Sequence, residues 1–467
     1  KDFSPALSIV QALVGSTSAR LLSLEGQSHT WQVGVVRPGR KGFDIRLDAE
    51  ERLVLDLGKP CHLILEMAGH TIESKVAFLR SHHFSLSHER TSESCEFSLR
   101  GFSSSGLSED ASYWRIVVPL PSGSFLSRYH QLQFASYNTA TSTTAGRLPI
   151  RFANTVMDVV FHKEADQEYL IFDVQSSLSL TEALEQAHSV GLSLGYITGE
   201  FAQEECFCFP YSAPEMIGSS LGFEYRVLRD SIRSSYAPIC SNAYSYLTHK
   251  KEEAERLNQL LRNLSIAEFN KLCERVVSDE HFAAHLLLIQ ESMAASLVAM
   301  PPGLCVALEG ICKAPSTKKN DIDKDPYIEE WVTARLPELK KTLEAIKNRF
   351  NEGLISAVQG RLNNIAMPTN REQLEGPFKA IGFILTSQDT KAISSRNRFL
   401  HGDVLLGNKK GIEQSSKDAY YMALRLYGLL GVLILKPTGY DNYLVNYAKL
   451  REEVHGVKLV EDYYIKI

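Results

Sequence analysis

From about residue 30 to residue 225 the chain runs in short β-like stretches, several of them alternating apolar and polar residues, broken by Gly, Ser, Pro and Asn. Leu53 to Leu57, His62 to Met67, Cys95 to Leu99, Trp114 to Leu120, Gln131 to Ala135, Val156 to Phe161 and Tyr169 to Val174 carry this pattern. A period of two places alternate side chains on one face, so these stretches predict half-buried strands in a sandwich-like module. Ser81 to Ser105, Ser-rich and holding His82, His83 and His88, predicts a long loop or an irregular edge. One helix is predicted inside the module. Ser179-Leu180-Thr181-Glu182 opens a run to Gly191, with Thr181 available to cap and Glu182 suited to the positive helix end.

Beyond residue 226 the period lengthens to that of a helix. Arg226 to Asn263, Ile266 to Val276, His281 to Met300, Leu304 to Cys312, Tyr327 to Asn348, Gly353 to Asn363 and Ala419 to Leu435 show helical spacing or strong helix formers. Pro301-Pro302-Gly303 and the stretch Pro315 to Asp325 interrupt them, and Pro437-Thr438-Gly439 closes the last apolar helix. The predicted class is α+β multidomain: a β-rich domain over 1–225, a helical connecting region over 226–300 and an all-α helical bundle over 301–467. No internal repeat is apparent, which argues against a solenoid.

Composition narrows the class. With 467 residues, 44% hydrophobic and 22% charged, the chain is long enough for two or three globular domains and too apolar to be largely disordered. Eight dispersed cysteines, of which Cys206 and Cys208 alone are close, form neither a disulfide framework nor a CxxC zinc site. Free thiols in a cytoplasmic protein are expected. The apolar run Leu426 to Leu435 falls short of the roughly 20 residues that span a bilayer, and Lys1 to Ser18 does not read as a signal peptide, although residue 1 is not Met. The net charge of -5 is uneven: residues 1–240 carry 20 Lys and Arg against 27 Asp and Glu, and residues 241–467 carry 30 against 28. The second half tolerates an anionic partner better.

Several signatures fail on inspection. There is no GxxxxGK[ST] phosphate loop and no GxGxxG. Asp321 to Asp325 begins like a calcium loop, but Pro326 replaces the turn glycine and Val332 the bidentate glutamate, so a solvated linker is expected. His281 and His285 share a helical face without the glutamate of HExxH, and a packed helix is the better reading. Gly218-Ser219-Ser220-Leu221-Gly222 matches GxSxG, which would make Ser220 a hydrolase nucleophile. Pro210 and Pro214 precede it and a strand-like Phe223 to Val227 follows, against the strand-turn-helix that an elbow needs.

The most informative segment is Ser394 to Asp403, S-S-R-N-R-F-L-H-G-D. An Arg followed by His after four to six residues occurs twice, as Arg275 with His281 and as Arg396 with His401; Asn397 directly after the Arg and Gly402 directly after the His distinguish the second. R-N-x-x-x-H-G in an all-α C-terminal domain resembles the signature of the HEPN superfamily, whose active members are metal-independent ribonucleases. A β-rich N-terminal module before such a domain is also similar in architecture to ApeA-type anti-phage proteins. The resemblance implies an endoribonuclease working without metal or cofactor, RNA (tRNA included) as substrate, a homodimer through the helical domain, and a β-rich half sensing a phage-derived trigger. It implies no membrane partner. Asp403 stands where members controlled by tyrosine modification carry Tyr, so that control is not implied here.

The residues suit the chemistry. His401 titrates in the range needed to take the 2′-OH proton or to protonate the leaving 5′-oxygen. Arg396 can bind two oxygens of a phosphorane-like transition state through its planar fork. Asn397, four residues before His401, can orient the imidazole or a phosphate oxygen. Arg396 and His401 stand about 140° apart on a regular helix; dimerisation, as in HEPN relatives, would bring two motifs together. Gly402 suits a helix stop, where the dipole favours the imidazolium of His401. Lys391, Arg396, Arg398, Lys409 and Lys410 against Asp403 give residues 391–412 a local net charge of +4, and Lys391, Arg398, Lys409 and Lys410 are the expected RNA-binding cations. The competing expectations are a non-catalytic HEPN-like dimerisation or RNA-binding protein and, third, the Ser220 hydrolase.

Overall fold

The computed structural model describes residues 1–37, 41–49, 59–86, 91–107, 112–121, 123–124, 131–138, 143–313, 326–346, 355–358, 370–400 and 411–467. They divide into two compact units, Lys1–Asp279, called unit 1, and Glu280–Ile467, called unit 2. The division falls inside the 226–300 stretch expected to connect two domains. The broad expectation of a β-rich first part and a helical last part is what the elements show.

Unit 1 opens with helix α1 (Ser4–Val14), followed by strands β1 (Ser18–Leu24), β2 (Gln27–Val36), β3 (Phe43–Ala49), β4 (Pro60–Met67), β5 (His70–Leu86) and β6 (Thr91–Leu99). Six antiparallel pairings run in the order β4-β1-β2-β3-β6-β5 and return from β5 to β4. These strands therefore close a barrel rather than stack as two sheets, and closure leaves none of the six as a bare edge. The alternation that announced β4 is realised: Cys61, Leu63, Leu65 and Met67 are buried and the residues between them are not.

The sheet continues from β5 through β7 (Gly101–Ser104), β15 (Glu224–Val227), β14 (Glu205–Tyr211), β8 (Tyr113–Leu120), β12 (Gln167–Val174), β11 (Thr155–Glu164), β10 (Thr143–Phe152) and β9 (Ala135–Asn138), while β13 (Glu200–Phe201) and β16 (Ile232–Arg233) pair with each other separately. At the junction, Glu205 is buried on β14; it accepts from Arg37 Nη2 at 2.6 Å and from the Tyr225 hydroxyl at 2.8 Å, which supplies the partners a buried carboxylate requires. Helix α2 (Leu180–Thr198) packs on β8 and β12. Gly191 sits mid-helix because a Cβ there would lie 3.3 Å from Phe201 and 3.7 Å from Phe172.

Four local expectations are corrected. Ser81 to Ser105 is not a loop: β5, β6 and β7 occupy most of it, because Cys95, Phe97 and Leu99 alternate inward with Ser94, Glu96 and Ser98 between them. Helix α2 is capped by Ser179 in a full capping box with Glu182, not by Thr181, and runs on to Thr198 before the left-handed Gly199. Arg226 to Asn263 is not one helix. Short strands and turns fill its first part, with Ser231, Ser234, Ser235 and Pro238 competing against helix, and α3 (Lys251–Asn258) is its only full α-helix among the described residues. Gln131 to Ala135 gives way to β9, which starts at Ala135. Leu53 to Leu57, His88, Asp321 to Asp325 and most of Gly353 to Asn363 lie outside the described residues.

Helix α4 (Ile266–Ser278) ends unit 1, and unit 2 comprises α5 (Glu280–Ala294), α6 (Met300–Lys313), α7 (Pro326–Ile346), α8 (Asn370–Ala380), α9 (Ser387–Ser394), α10 (Arg396–Leu400) and α11 (Ile412–Leu435), then a small hairpin of β17 (Tyr443–Val445) and β18 (Tyr464–Lys466) with the short helices α12 (Tyr447–Leu450) and α13 (Glu452–His455) between its strands. α6 touches α5, α8, α10 and α11. Gly310 brings α5 close: a Cβ there would fall 1.7 Å from Nε2 of His285, whose Nδ1 meets the His281 carbonyl at 2.5 Å. α11, extended to Thr438, is long and apolar enough to cross a membrane by length and composition alone, but 83% of its apolar window is buried within the protein, as expected of a core helix.

Gly199 and Gly218 both hold positive φ, at 83° and 82°, but a Cβ at Gly199 would stand 2.6 Å from the Ser234 carbonyl oxygen whereas Gly218 faces open space. Gly218→Ala is expected to cost about 1 kcal/mol and Gly199→Ala more than about 2 kcal/mol. Urea unfolding midpoints of the two variants, compared at equal m, check this.

Candidate functional site

The motif lies on α9 and α10, whose inward face is set by spacing. Asp389, Ala392, Ile393, Arg396 and Phe399 are buried, while Lys391, Asn397 and Arg398 are exposed. Thr386 caps α9 and Asp389 completes its capping box, which fixes where the segment begins. Ser395 separates α9 from α10 but keeps a right-handed helical backbone, so the apolar stripe continues across the break.

Two ion pairs, each with a buried arginine, start from Asp389 and Arg396 on this stripe and tie it to neighbouring helices. Asp389 on α9 meets Arg425 of α11 at 2.5 Å, and Arg396 on α10 meets Glu309 of α6 at 2.6 Å. Arg425, itself 6% exposed, also pairs with Glu461 and donates to the Thr386 hydroxyl at 3.1 Å. Burial works against its charge, but Asp389 and Glu461 outweigh burial and raise its pKa above the ordinary arginine value. Beside Arg425 lies a cavity of about 200 Å³ between α11 and the C-terminal hairpin. Its polar wall is already internally bonded, Asn446 donating to Glu461 Oε2 at 3.1 Å and to the Asp462 carbonyl at 3.0 Å.

Arg396 is 6% exposed, and its Nη1 donates to Glu309 Oε1. The stretch of α6 that receives it presents Cys305, Glu309 and Cys312 at helical spacing of four and three. Burial pushes both thiols up to about 12, with the guanidinium of Arg396 pulling the other way. They remain neutral thiols at physiological pH and add no charge to the seat of Arg396.

The structure thus brings Arg396 against Glu309, a residue absent from the sequence-level site. It places Lys391, Asn397 and Arg398 on the exposed side, away from the burial of Arg396, so these residues do not converge with it on one face. His401, Gly402, Asp403, Lys409 and Lys410 lie outside the described residues. A partial signal for Glu309 existed: in Met300–Lys313 it is the one acidic residue, set among apolar neighbours, with Lys313 one turn on as the helix's own cation.

The other candidates are also placed. Ser220 lies in the irregular connection between the antiparallel partners β14 and β15, and the segment that follows it is a strand, so the strand-turn-helix geometry of a nucleophile elbow is absent at that position. His285 is engaged by His281 and seated over Gly310. Among the described residues no group of three or more His, Cys, Asp or Glu side chains could hold a metal ion.

No family model matches the chain, and no curated protein matches it. Among solved structures the chain is similar to MrkH, described as a novel c-di-GMP-dependent transcription regulatory factor, with 10% identity over 38% of this chain and 85% of that chain and a TM-score of 0.12. A likeness at that level carries no argument about fold or function.

Arg425→Ala leaves Asp389 and Glu461 without their buried cation and is expected to cost unit 2 about 3–5 kcal/mol, read as a lowered urea midpoint. All eight cysteines are buried. Iodoacetamide at pH 8 is therefore expected to leave Cys305 and Cys312 unmodified in the native protein and to label both in 8 M urea, as mass spectrometry would show; native labelling at either position would contradict their burial.

Proposed function

We propose that the protein is a metal-independent endoribonuclease of HEPN type, active as a homodimer through its helical domain. The observation that carries this reading is the R-N-x-x-x-H-G segment in a helical unit, with its arginine fixed at the start of α10 by a carboxylate from another helix. In the reaction a base removes the 2′-OH proton, the 2′-oxygen bonds to the adjacent phosphorus, and the P–O5′ bond breaks as an acid protonates the 5′-oxygen. The products are a 2′,3′-cyclic phosphate and a 5′-hydroxyl. His401 is suited to the proton transfers, two copies in a dimer dividing the acid and base roles. Arg396 stabilises charge on the non-bridging oxygens, Asn397 orients the imidazole or a phosphate oxygen, and Lys391, Arg398, Lys409 and Lys410 hold the RNA backbone. By resemblance, the work is cytoplasmic anti-phage defence, with the β-rich unit receiving a phage-derived trigger.

A second reading is favoured by the depth of Arg396. An arginine 6% exposed and paired with Glu309 is well placed to be a structural tether, in a unit that dimerises or binds RNA without cutting it.

Incubation of the full-length protein in EDTA with total RNA and with tRNA separates the two. The nuclease reading expects 2′,3′-cyclic phosphate ends, lost by at least about 100-fold in His401→Ala and Arg396→Ala. The tether reading expects shifted RNA on a native gel with no new ends. Cleavage that survives both substitutions would sink the nuclease assignment at this motif.

A further inference from the structure

The ion pair that buries Arg396 extends to a third charge. Glu309 receives Arg396 Nη1 on Oε1 at 2.6 Å and Lys313 Nζ on Oε2 at 3.2 Å. Lys313 lies one turn further along α6, and its side chain is 49% exposed, against 25% for Glu309 and 8% for Arg396. One carboxylate therefore spans two cations, from the interior outward, and the trio keeps a net charge of +1. The Nε and Nη2 edge of Arg396 has no partner among the described residues. Cys305 and Cys312, protonated, flank the arrangement without altering its charge.

We propose that Glu309 is the positioning residue of Arg396 and that Lys313 is a further phosphate-binding cation of the same site, the group recognised being an RNA phosphodiester. This rests on the ribonuclease reading above and adds two residues to it. A guanidinium hydrogen-bonded at Nη1 cannot turn freely, and the edge left over, Nε with Nη2, is one that binds two phosphate oxygens side by side. Orientation of that edge matters most when charge gathers on the non-bridging oxygens in the transition state. The negative charge of Glu309 opposes the approach of an anion in the ground state, and Lys313 offsets that opposition. Glu309 thus weakens the resting hold on RNA while fixing the geometry that the reaction needs.

That combination separates positioning from a purely structural role. In Glu309→Gln the shape remains and the negative charge goes, so the site becomes more positive while the guanidinium loses its ionic anchor. The experiment uses the full-length protein in EDTA, with a fluorescein-labelled single-stranded RNA for kcat and KM and its 2′-O-methyl analogue for binding. Expected for E309Q is a kcat per folded molecule about tenfold lower with KM equal or reduced, in protein that keeps the dimer mass of the wild type while its melting temperature falls because Arg396 loses its carboxylate. Expected for Lys313→Ala is weaker binding of the analogue by about three- to tenfold and a salt dependence reduced by about one counterion. A structural tether would instead leave the kcat per folded molecule of E309Q unchanged, whatever the fall in its melting temperature. If E309Q does not fold, Glu309→Asp, which keeps the charge but withdraws it by one methylene, takes its place with the same expected loss of kcat. Wild-type kcat in folded E309Q or E309D, or unchanged binding and salt dependence in K313A, with Arg396→Ala inactive, overturns the inference and leaves the nuclease standing. A wild type that cuts neither RNA substrate, or an R396A variant that cuts like the wild type, overturns both.

Discussion

A guanidinium taken out of water costs several kcal/mol unless a carboxylate meets it, and unit 2 buries two of them around one short helical segment. Asp389 and Arg396 stand seven residues apart on the inward face of α9 and α10. The first reaches Arg425 on α11 and the second reaches Glu309 on α6. The two pairs have opposite polarity: the segment gives a carboxylate to one neighbour and a guanidinium to the other. Sliding the segment by one residue would place neither group against its partner, and turning it would leave one charge buried and unmatched. Apolar packing of Ala392, Ile393 and Phe399 supplies burial, but it tolerates small shifts that charges do not. The ion pairs therefore fix the register of the segment that carries the motif.

The helix that accepts Arg396 is suited to that load. α6 touches four other helices of its unit, and Gly310 brings α5 onto it where any side chain would collide with His285. A helix held on several sides has little freedom to move toward its partner. Glu309 therefore stands on a backbone held by packing that the fold requires anyway, which limits the entropy lost in meeting Arg396.

Much of this was legible in the sequence, and the parts that were not share a cause. β4 announces itself because it buries one face, β11 and β12 because their apolar runs are buried on both, and α11 because its apolar run ends at Pro437 and Gly439. Cys95 to Leu99 of β6 was legible by its alternation, while the Ser-rich composition around it hid the far end of β5 and β7, since Ser is common in loops. β4 and β5 are joined by the two-residue turn Ala68-Gly69 and pair locally, but barrel closure also needs β1 to pair with β4, a choice that no local pattern encodes. Arg396 was legible as a candidate, but its partner lies 87 residues away. Lys313, one turn along the helix, already offers Glu309 a cation, so nothing local calls for Arg396 as a second.

The buried position of Arg396 bears on both proposed roles, and the balance between them is set by geometry rather than by burial alone. A purely structural arginine gains most when carboxylates engage both edges of its fork, as Asp389 and Glu461 do for Arg425. Arg396 is bound at Nη1 by a single carboxylate, and that carboxylate is shared with the exposed Lys313. If tethering were the whole purpose, sharing would be a weakness, because the second cation draws Glu309 toward solvent. If the purpose is to present a fixed guanidinium edge to a phosphate, the sharing has a use: it keeps the carboxylate from neutralising the site it organises. The contrast between Arg425 and Arg396, two arginines buried to the same degree in one unit, is the strongest internal argument for giving the second a function beyond the fold.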